Sequence, residues 1–253
     1  MADNNRKRKH QRWNPKTKQK SVEPGVVGLF FTCEGHEKQA VQEAYSIIEE
    51  LLEKSENSTE EVKEDENVDS DEDIADALKK ACHETKDGEK NKKESRRFIQ
   101  RPTGVKNCIF VSVKNANISK LAEEMVDLAQ KSARCRFLQR VIPVEQTLAV
   151  DLSKLNDAVM KVVSENLKPK ENGNYPSYSV EFKARNNDSI TKSNVLEMIN
   201  DAITVFAPTA RANLNHAEVT FFIQVSRTTA MVGVCRDFYT RRKYSMRPTA
   251  ATV

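Results

Sequence analysis

Glycine is scarce in this chain, with seven in 253 residues. That scarcity disfavours phosphate-cradling loops, and neither a Walker loop nor a dinucleotide fingerprint occurs. Histidine is scarcer still, at four. No C-x-x-C and no H-E-x-x-H appears, which speaks against a structural zinc site and a zinc hydrolase. There is also no G-x-S-x-G. The five cysteines (33, 82, 108, 135 and 235) are odd in number and widely spaced. They argue against a disulfide framework and for a reducing compartment. Long apolar runs are missing as well. The best, Gly25–Cys33, has nine residues, well short of the ~18 that a membrane span needs. The N-terminus is basic and polar, without the apolar centre of a signal peptide.

What the chain does have is charge. Charged residues make up 31% and hydrophobic residues 38%, so part of the chain is expected not to pack. The net charge of +4 conceals segregation. Residues 1–20 carry eight Lys/Arg and one acid, and residues 53–73 carry eleven acids and two bases. Residues 78–101 return to nine bases and four acids, and residues 227–247 hold six bases and one acid. Separation on this scale points to a charged partner.

The length suits about two domains. Residues 1–23 read as a disordered basic arm, fit for nuclear import, for phosphate binding or merely for solubility. Gly25–Cys33 reads as a buried strand. Ala40, Val41, Ala44, Ile47, Ile48, Leu51 and Leu52 then recur at helical spacing. Residues 55–95 form a charged, disordered insertion, with a weak helix at Ile74–Lys80. Such an acidic block is either a solvated loop or an autoinhibitory mimic of phosphates. "RRFIQRPTGVKNCIFVSV" reads as two strands about the turn at Pro102, Thr103 and Gly104. Asn117 or Ser119 caps a helix with Ile118, Leu121, Ala122, Met125, Val126 and Ala129 on one face. "CRFLQRVIPV" is a strand stopped by Pro143. This βαββαβ order defines a ferredoxin-like domain over residues 24–142.

Residues 143–247 repeat the α+β mixture, leaving 248–253 as a tail. A helix carries Leu152, Leu155, Val159, Val162 and Val163 inward. "YSVEFKARNN" is a strand with Tyr178, Val180, Phe182 and Ala184 on its buried face. Asn194 and Glu197 suggest a capping box. The helix they open places Val195, Leu196, Ile199, Ala202, Ile203 and Phe206 on its core side. "EVTFFIQVS" and "TAMVGVC" form a tight hairpin at Arg227-Thr228.

Catalysis has little support. Cys33 and His36 lie close together at a strand end, but no third orienting group is visible, and a half-buried thiol beside a helix-start histidine is the plainer reading. His83 falls in the charged insertion and His216 in a polar turn. Nucleic-acid binding has more support. Arg136 and Arg140, Lys183 and Arg185, Arg227, then Arg236, Arg241, Arg242 and Lys243 fall beside expected strand ends. Guanidinium groups suit phosphate. Asn186 and Asn187 suit ribose or base edges, and Tyr239 and Tyr244 suit stacking on unpaired bases. The donors after Ala184 also precede a helix N-terminus, which favours anions. Alternatively, Arg185 and the two asparagines only pin a turn and cap that helix.

"CRFLQRVIPVEQT", "YSVEFKARNN", "AEVTFFIQVSRTTAMVGVC" and "RRKY", in this order, resemble a THUMP-domain protein over about Gly25 to Arg247. More narrowly, the chain resembles the eukaryotic adaptors of the tRNA cytidine acetyltransferase. It implies a ferredoxin-like domain followed by a THUMP domain, and a non-catalytic tRNA-binding adaptor. Its partner would be a separate acetyltransferase forming N4-acetylcytidine in serine and leucine tRNAs. No cofactor is implied for this chain, because acetyl-CoA and ATP belong to the partner. The implied RNA loop is Lys183, Arg185, Asn186 and Asn187, and the implied basic end is Arg241, Arg242 and Lys243. The implied location is the nucleus and nucleolus, with the cytoplasm as alternative. Larger THUMP enzymes add a catalytic domain, for which there is no room past Arg247. One departure is "ANLNHAEV", where Asn213 and Ala217 replace the Asp and Pro of many relatives. The alternatives are an RNA-modifying enzyme in its own right, and a general RNA-binding or protein-interaction module.

Overall fold

The computed structural model describes residues 21–60 and 97–248; for residues 55–60 it describes the backbone alone. The basic arm up to residue 20, the helix expected at Ile74–Lys80, Cys82, His83 and the acidic block beyond Glu60 lie outside the described residues.

The first sheet contains β1 (Gly28–Cys33), β2 (Phe98–Arg101), β3 (Cys108–Val113) and β4 (Leu138–Val144), in the order β2-β3-β1-β4. Every neighbouring pair is antiparallel. Two helices cross over it, α1 (Glu37–Glu60) and α2 (Ile118–Lys131). They pack on each other and on the sheet. The connectivity is the expected βαββαβ. Helix α1 runs past Ser55 to Glu60, into the charged stretch that composition alone reads as disordered. Asn117 is the cap of α2, its side chain accepting from the Lys120 N–H at 3.0 Å. All six apolar residues expected on the α2 face are buried. β4 continues through Pro143 to Val144, contrary to expectation. Within its own sheet β4 is the outermost strand, where a missing N–H interrupts no ladder.

The second sheet contains β5 (Gln146–Ala149), β6 (Tyr178–Arg185), β7 (Val219–Ser226) and β8 (Thr229–Arg236), in the order β5-β8-β7-β6. β6 runs parallel to β7, and the other pairs are antiparallel. α3 (Leu152–Asn166) and α4 (Lys192–Phe206) cover one face. Two side chains expected inside stand partly outside on α4, Leu196 and Phe206, and Leu152 on α3 is 47% exposed. All three lie at the rim of an apolar stripe, where the helix turns toward solvent. The capping box is Thr191 with Asn194, one turn earlier than the pair read from sequence. Asn194 is therefore the third helical residue, not the cap.

The two units are tightly joined. Phe222, Met231 and Cys235, on the outer face of the second sheet, belong to the same buried cluster as Phe30, Phe31 and Phe110 of the first. The Glu145 N–H donates to the Val232 carbonyl at 2.9 Å. A Cβ added to Gly233 would lie 1.9 Å from the Pro143 carbonyl oxygen, so only glycine permits this approach. Order begins before Gly25: Val22 is buried, and its carbonyl accepts from Thr229 Oγ1 at 2.6 Å. The segment after β8 returns to the first unit. The Val141 N–H donates to the Tyr244 carbonyl at 3.2 Å, and the Met246 N–H to the Gln139 carbonyl at 2.9 Å.

Candidate nucleic-acid interface

β6 has two faces with different neighbours. Tyr178, Val180 and Phe182 pack on the helix-side core. Ala184, expected with them, is exposed at the strand end. The other face holds Ser179, Glu181, Lys183 and Arg185. It does not simply meet solvent, because the first unit lies across it. Ser179 is buried and hydrogen-bonds Thr220 of β7 at 2.8 Å. The Arg185 guanidinium lies 5.8 Å from the ring centroid of Phe30, on β1. A strand pattern that reads as half-buried is thus covered on both sides over much of its length.

An open cleft of about 810 Å³ lies where β6 meets the first sheet. Its basic lining is Lys106, Arg140, Lys183, Arg185 and Arg247. The same cationic crowding shows in Lys183. Burial, then the nearby charges of Arg140 and Arg185, push its ammonium below the ordinary lysine range. Lys243 adds to this effect, while Glu181 opposes it. Arg185 Nη1 is buried and has no hydrogen-bond acceptor among the described residues. A buried guanidinium N–H without an acceptor is costly, so an entering anion would relieve it. The cleft therefore suits a phosphate oxygen.

The sequence-derived residues divide around this cleft. Arg140, Lys183 and Arg185 line it together. Lys243 is exposed, 5.6 Å from the ring centroid of Tyr239, and within electrostatic reach of Lys183. Arg227 lies in the β7–β8 turn, where its backbone N–H donates to the Arg185 carbonyl at 3.0 Å. Asn186 has a positive φ of 53°, which shapes the loop. Asn187 is occupied: Nδ2 donates to the Arg227 carbonyl at 2.7 Å, and Oδ1 accepts from the Ser189 N–H. Asn187 thus pins a turn.

The other expected residues stand apart from the cleft. Arg236 stands seven residues along the strand from the Arg185 row, about 23 Å at ~3.3 Å per residue. It donates to Asn166 and lines a separate recess there. Arg241 is taken up by Glu123 at 3.4 Å and by Asp127, both on α2, so it clamps the chain's return segment to the first unit. Arg242 donates to the carbonyls of Arg247 and Pro248. Arg136 is exposed over the Phe137 ring and does not line the cleft. Tyr244 is fully buried, donating to the Arg236 carbonyl at 3.0 Å and accepting from the Arg236 N–H at 3.1 Å. It cannot stack on a base. The loop from Asn186 to Thr191 separates Arg185 from α4, and the α4 start is capped by its own side chains. The helix terminus therefore does not lie directly behind Arg185, and two of its N–H groups, those of Thr191 and Asn194, are already taken.

Sequence reading missed Lys106 and Arg247 as cleft residues. Their only signal was positive charge, and their nearness to Lys183 depends on how the two units dock. Asn213 performs a turn role, its Oδ1 accepting from the N–H groups of Asn215 and His216, while Ala217 is buried. Cys33 also lines the cleft, but burial pushes its thiol up to about 11. A thiol so held is a poor nucleophile near neutral pH. Among the described residues, no cluster of His, Cys, Asp and Glu could hold a metal ion, and no helix is long and apolar enough to cross a membrane.

Residues 149–234 match the THUMP domain family, so this chain carries a THUMP domain built on the second sheet. The chain is 22% identical to THUMP domain-containing protein 1 of Mus musculus over 233 residues, covering 90% of this chain and 65% of that protein. It is 21% identical to the Drosophila melanogaster homolog, covering 96% and 78% respectively. The chain thus spans about 65% of the length of the mouse relative it matches. A 4-thiouridine synthetase solved with RNA and ATP aligns over 84% of this chain and 42% of its own, with 10% identity and a TM-score of 0.41.

Proposed function

We propose that this protein binds tRNA in the cleft between its two units and acts, without catalysis of its own, as an adaptor in tRNA modification. The observation that carries this reading is the meeting of Arg140, Lys183 and Arg185, with one buried guanidinium N–H lacking an acceptor. Contacts of this kind hold a sugar–phosphate backbone without reading its sequence. The THUMP match supports RNA as the polyanion.

The resemblance in the sequence supports a finer version. The chain would present serine and leucine tRNAs to a cytidine acetyltransferase that makes N4-acetylcytidine. It would use no cofactor, leaving acetyl-CoA and ATP to that enzyme, and would work in the nucleus and nucleolus.

The first test is tRNA affinity across salt concentrations. Binding is expected to weaken steeply as salt rises. Lys183→Glu with Arg185→Glu should abolish binding near physiological salt while the chain stays folded. Unchanged binding in that double variant would remove the cleft from consideration. The adaptor version is tested by nucleoside mass spectrometry on cells lacking the protein. Loss of N4-acetylcytidine from tRNA, with the ribosomal nucleoside retained, supports it. Unchanged tRNA acetylation refutes the pathway and leaves RNA binding alone.

A further inference from the structure

A second recess lies beside the cleft, at the turn between β2 and β3. Its volume is about 390 Å³, and its lining includes Arg101, Thr103, Gly104, Lys106 and Glu37. The two recesses share Lys106 and Cys108 in their linings, so they are neighbours. Arg101 Nε is buried and has no hydrogen-bond acceptor among the described residues. Each recess is therefore lined by an arginine with one buried N–H that lacks an acceptor among the described residues, and the exposed Lys106 lines both.

The one acid in this lining is already engaged. Glu37 Oε1 accepts from the Asn107 N–H at 2.7 Å. That bond holds the turn and draws the carboxylate toward the backbone. The turn itself is internally fixed. Thr103 is buried, donating to the carbonyls of Val105 and Cys108 at 3.1 and 2.8 Å. Arg101 and Lys106 are thus carried on a rigid frame, which limits the ordering cost of binding.

We propose that Arg101 and Lys106 form a second phosphate seat, and that an RNA backbone runs from the inter-unit cleft across Lys106 into it. This inference rests on the RNA reading above, and carries the contact surface further across the first unit, to the β2–β3 turn. The ligand is a continuous phosphodiester chain, because only a chain occupies both recesses at once.

The test uses the full chain and measures tRNA affinity against salt for the wild type, for Arg101→Gln with Lys106→Gln, and for Arg101→Lys with Lys106→Arg. The neutral pair is expected to bind about tenfold more weakly, with a log–log salt slope shallower by roughly 1.4–1.8, the value for two lost phosphate contacts. The charge-conserving pair is expected to keep most of the slope. An unchanged slope in the neutral pair overturns the seat, whether or not affinity falls. Should the neutral pair melt early, Lys106→Gln alone, at an exposed side chain, must still lose about half of that slope change, or the proposal fails. If the wild type itself binds no tRNA, the underlying RNA reading fails instead.

Discussion

Replacing Gly233 with alanine tests how the two units are joined. The added Cβ would sit 1.9 Å from the Pro143 carbonyl oxygen and 2.9 Å from its carbon. Both are backbone atoms, so no side-chain rotation relieves the clash. Carbon–oxygen contacts between strands settle near ~3.3 Å, so β8 must retreat from β4 by more than ~1 Å. The neighbouring bond from the Glu145 N–H to the Val232 carbonyl, now 2.9 Å, would then pass out of hydrogen-bond range. Losing that bond costs about 1 kcal/mol. The strain of overpacking adds roughly 1–3 kcal/mol. Together they imply about 3 kcal/mol, or a melting temperature lower by roughly 6–12 °C for a chain of this size. Scanning calorimetry reads this directly. Gly25→Ala is the comparison: its φ is +83°, but nothing lies within 4 Å of the new Cβ, so only local strain of about 1 kcal/mol is expected. If Gly233→Ala melts with the wild type, the docking of the two units described above is wrong.

Further outcomes follow from other contacts. Arg241→Met should cost about 1–3 kcal/mol by leaving Glu123 unpaired, yet leave the salt slope of tRNA binding unchanged, as titration of the variant would show. Tyr244→Phe removes both hydroxyl bonds to Arg236 and should cost about 1–2 kcal/mol in urea unfolding, again with the salt slope kept. The native chain should resist thiol reagents at Cys33 near pH 8 and react once unfolded, as mass spectrometry of alkylated peptides would reveal. Lys183 has a lowered pKa in the fold, so its charged form is disfavoured there relative to the unfolded chain. Its contribution to stability therefore improves as pH rises through the folded pKa toward the ordinary lysine range. The stability gained by Lys183→Met over wild type should accordingly shrink with rising pH; a constant difference would contradict the crowding argument.

Much of the fold was legible in the sequence because local periodicity carries it. The α2 face needed no tertiary information, and neither did the hairpin at Arg227-Thr228. Several of the misreadings share one cause, which is contact between segments distant in sequence. Pro143 looked like a stop, but its place at the outside of the first sheet made the missing N–H harmless. Tyr244 looked like a stacking residue because aromatic and basic neighbours surround it in sequence; in space it fills the first core. Arg236 and Arg241 have the same composition as Arg185, but ion pairs and strand direction place them elsewhere. Lys183 and Arg185 were recoverable, because two cations on one face of a strand have no reason to face a core. Lys106 and Arg247 were not, since nothing local links them to β6.

The return of the chain after β8 has a consequence for biosynthesis. Tyr244, Met246 and Phe238 fill the same buried cluster as Phe30 and Phe110, although more than a hundred residues separate the two sets. The Tyr244–Met246 segment also covers hydrogen-bonding groups along β4 that would otherwise stay open. On the ribosome, where synthesis starts at the N-terminal end, the first unit is made early but cannot close until residue 246 has emerged. Until then it presents an apolar hollow beside an unpaired strand edge, the kind of surface that chaperones engage and that aggregates form upon. The two units therefore mature together, however early the first of them is translated.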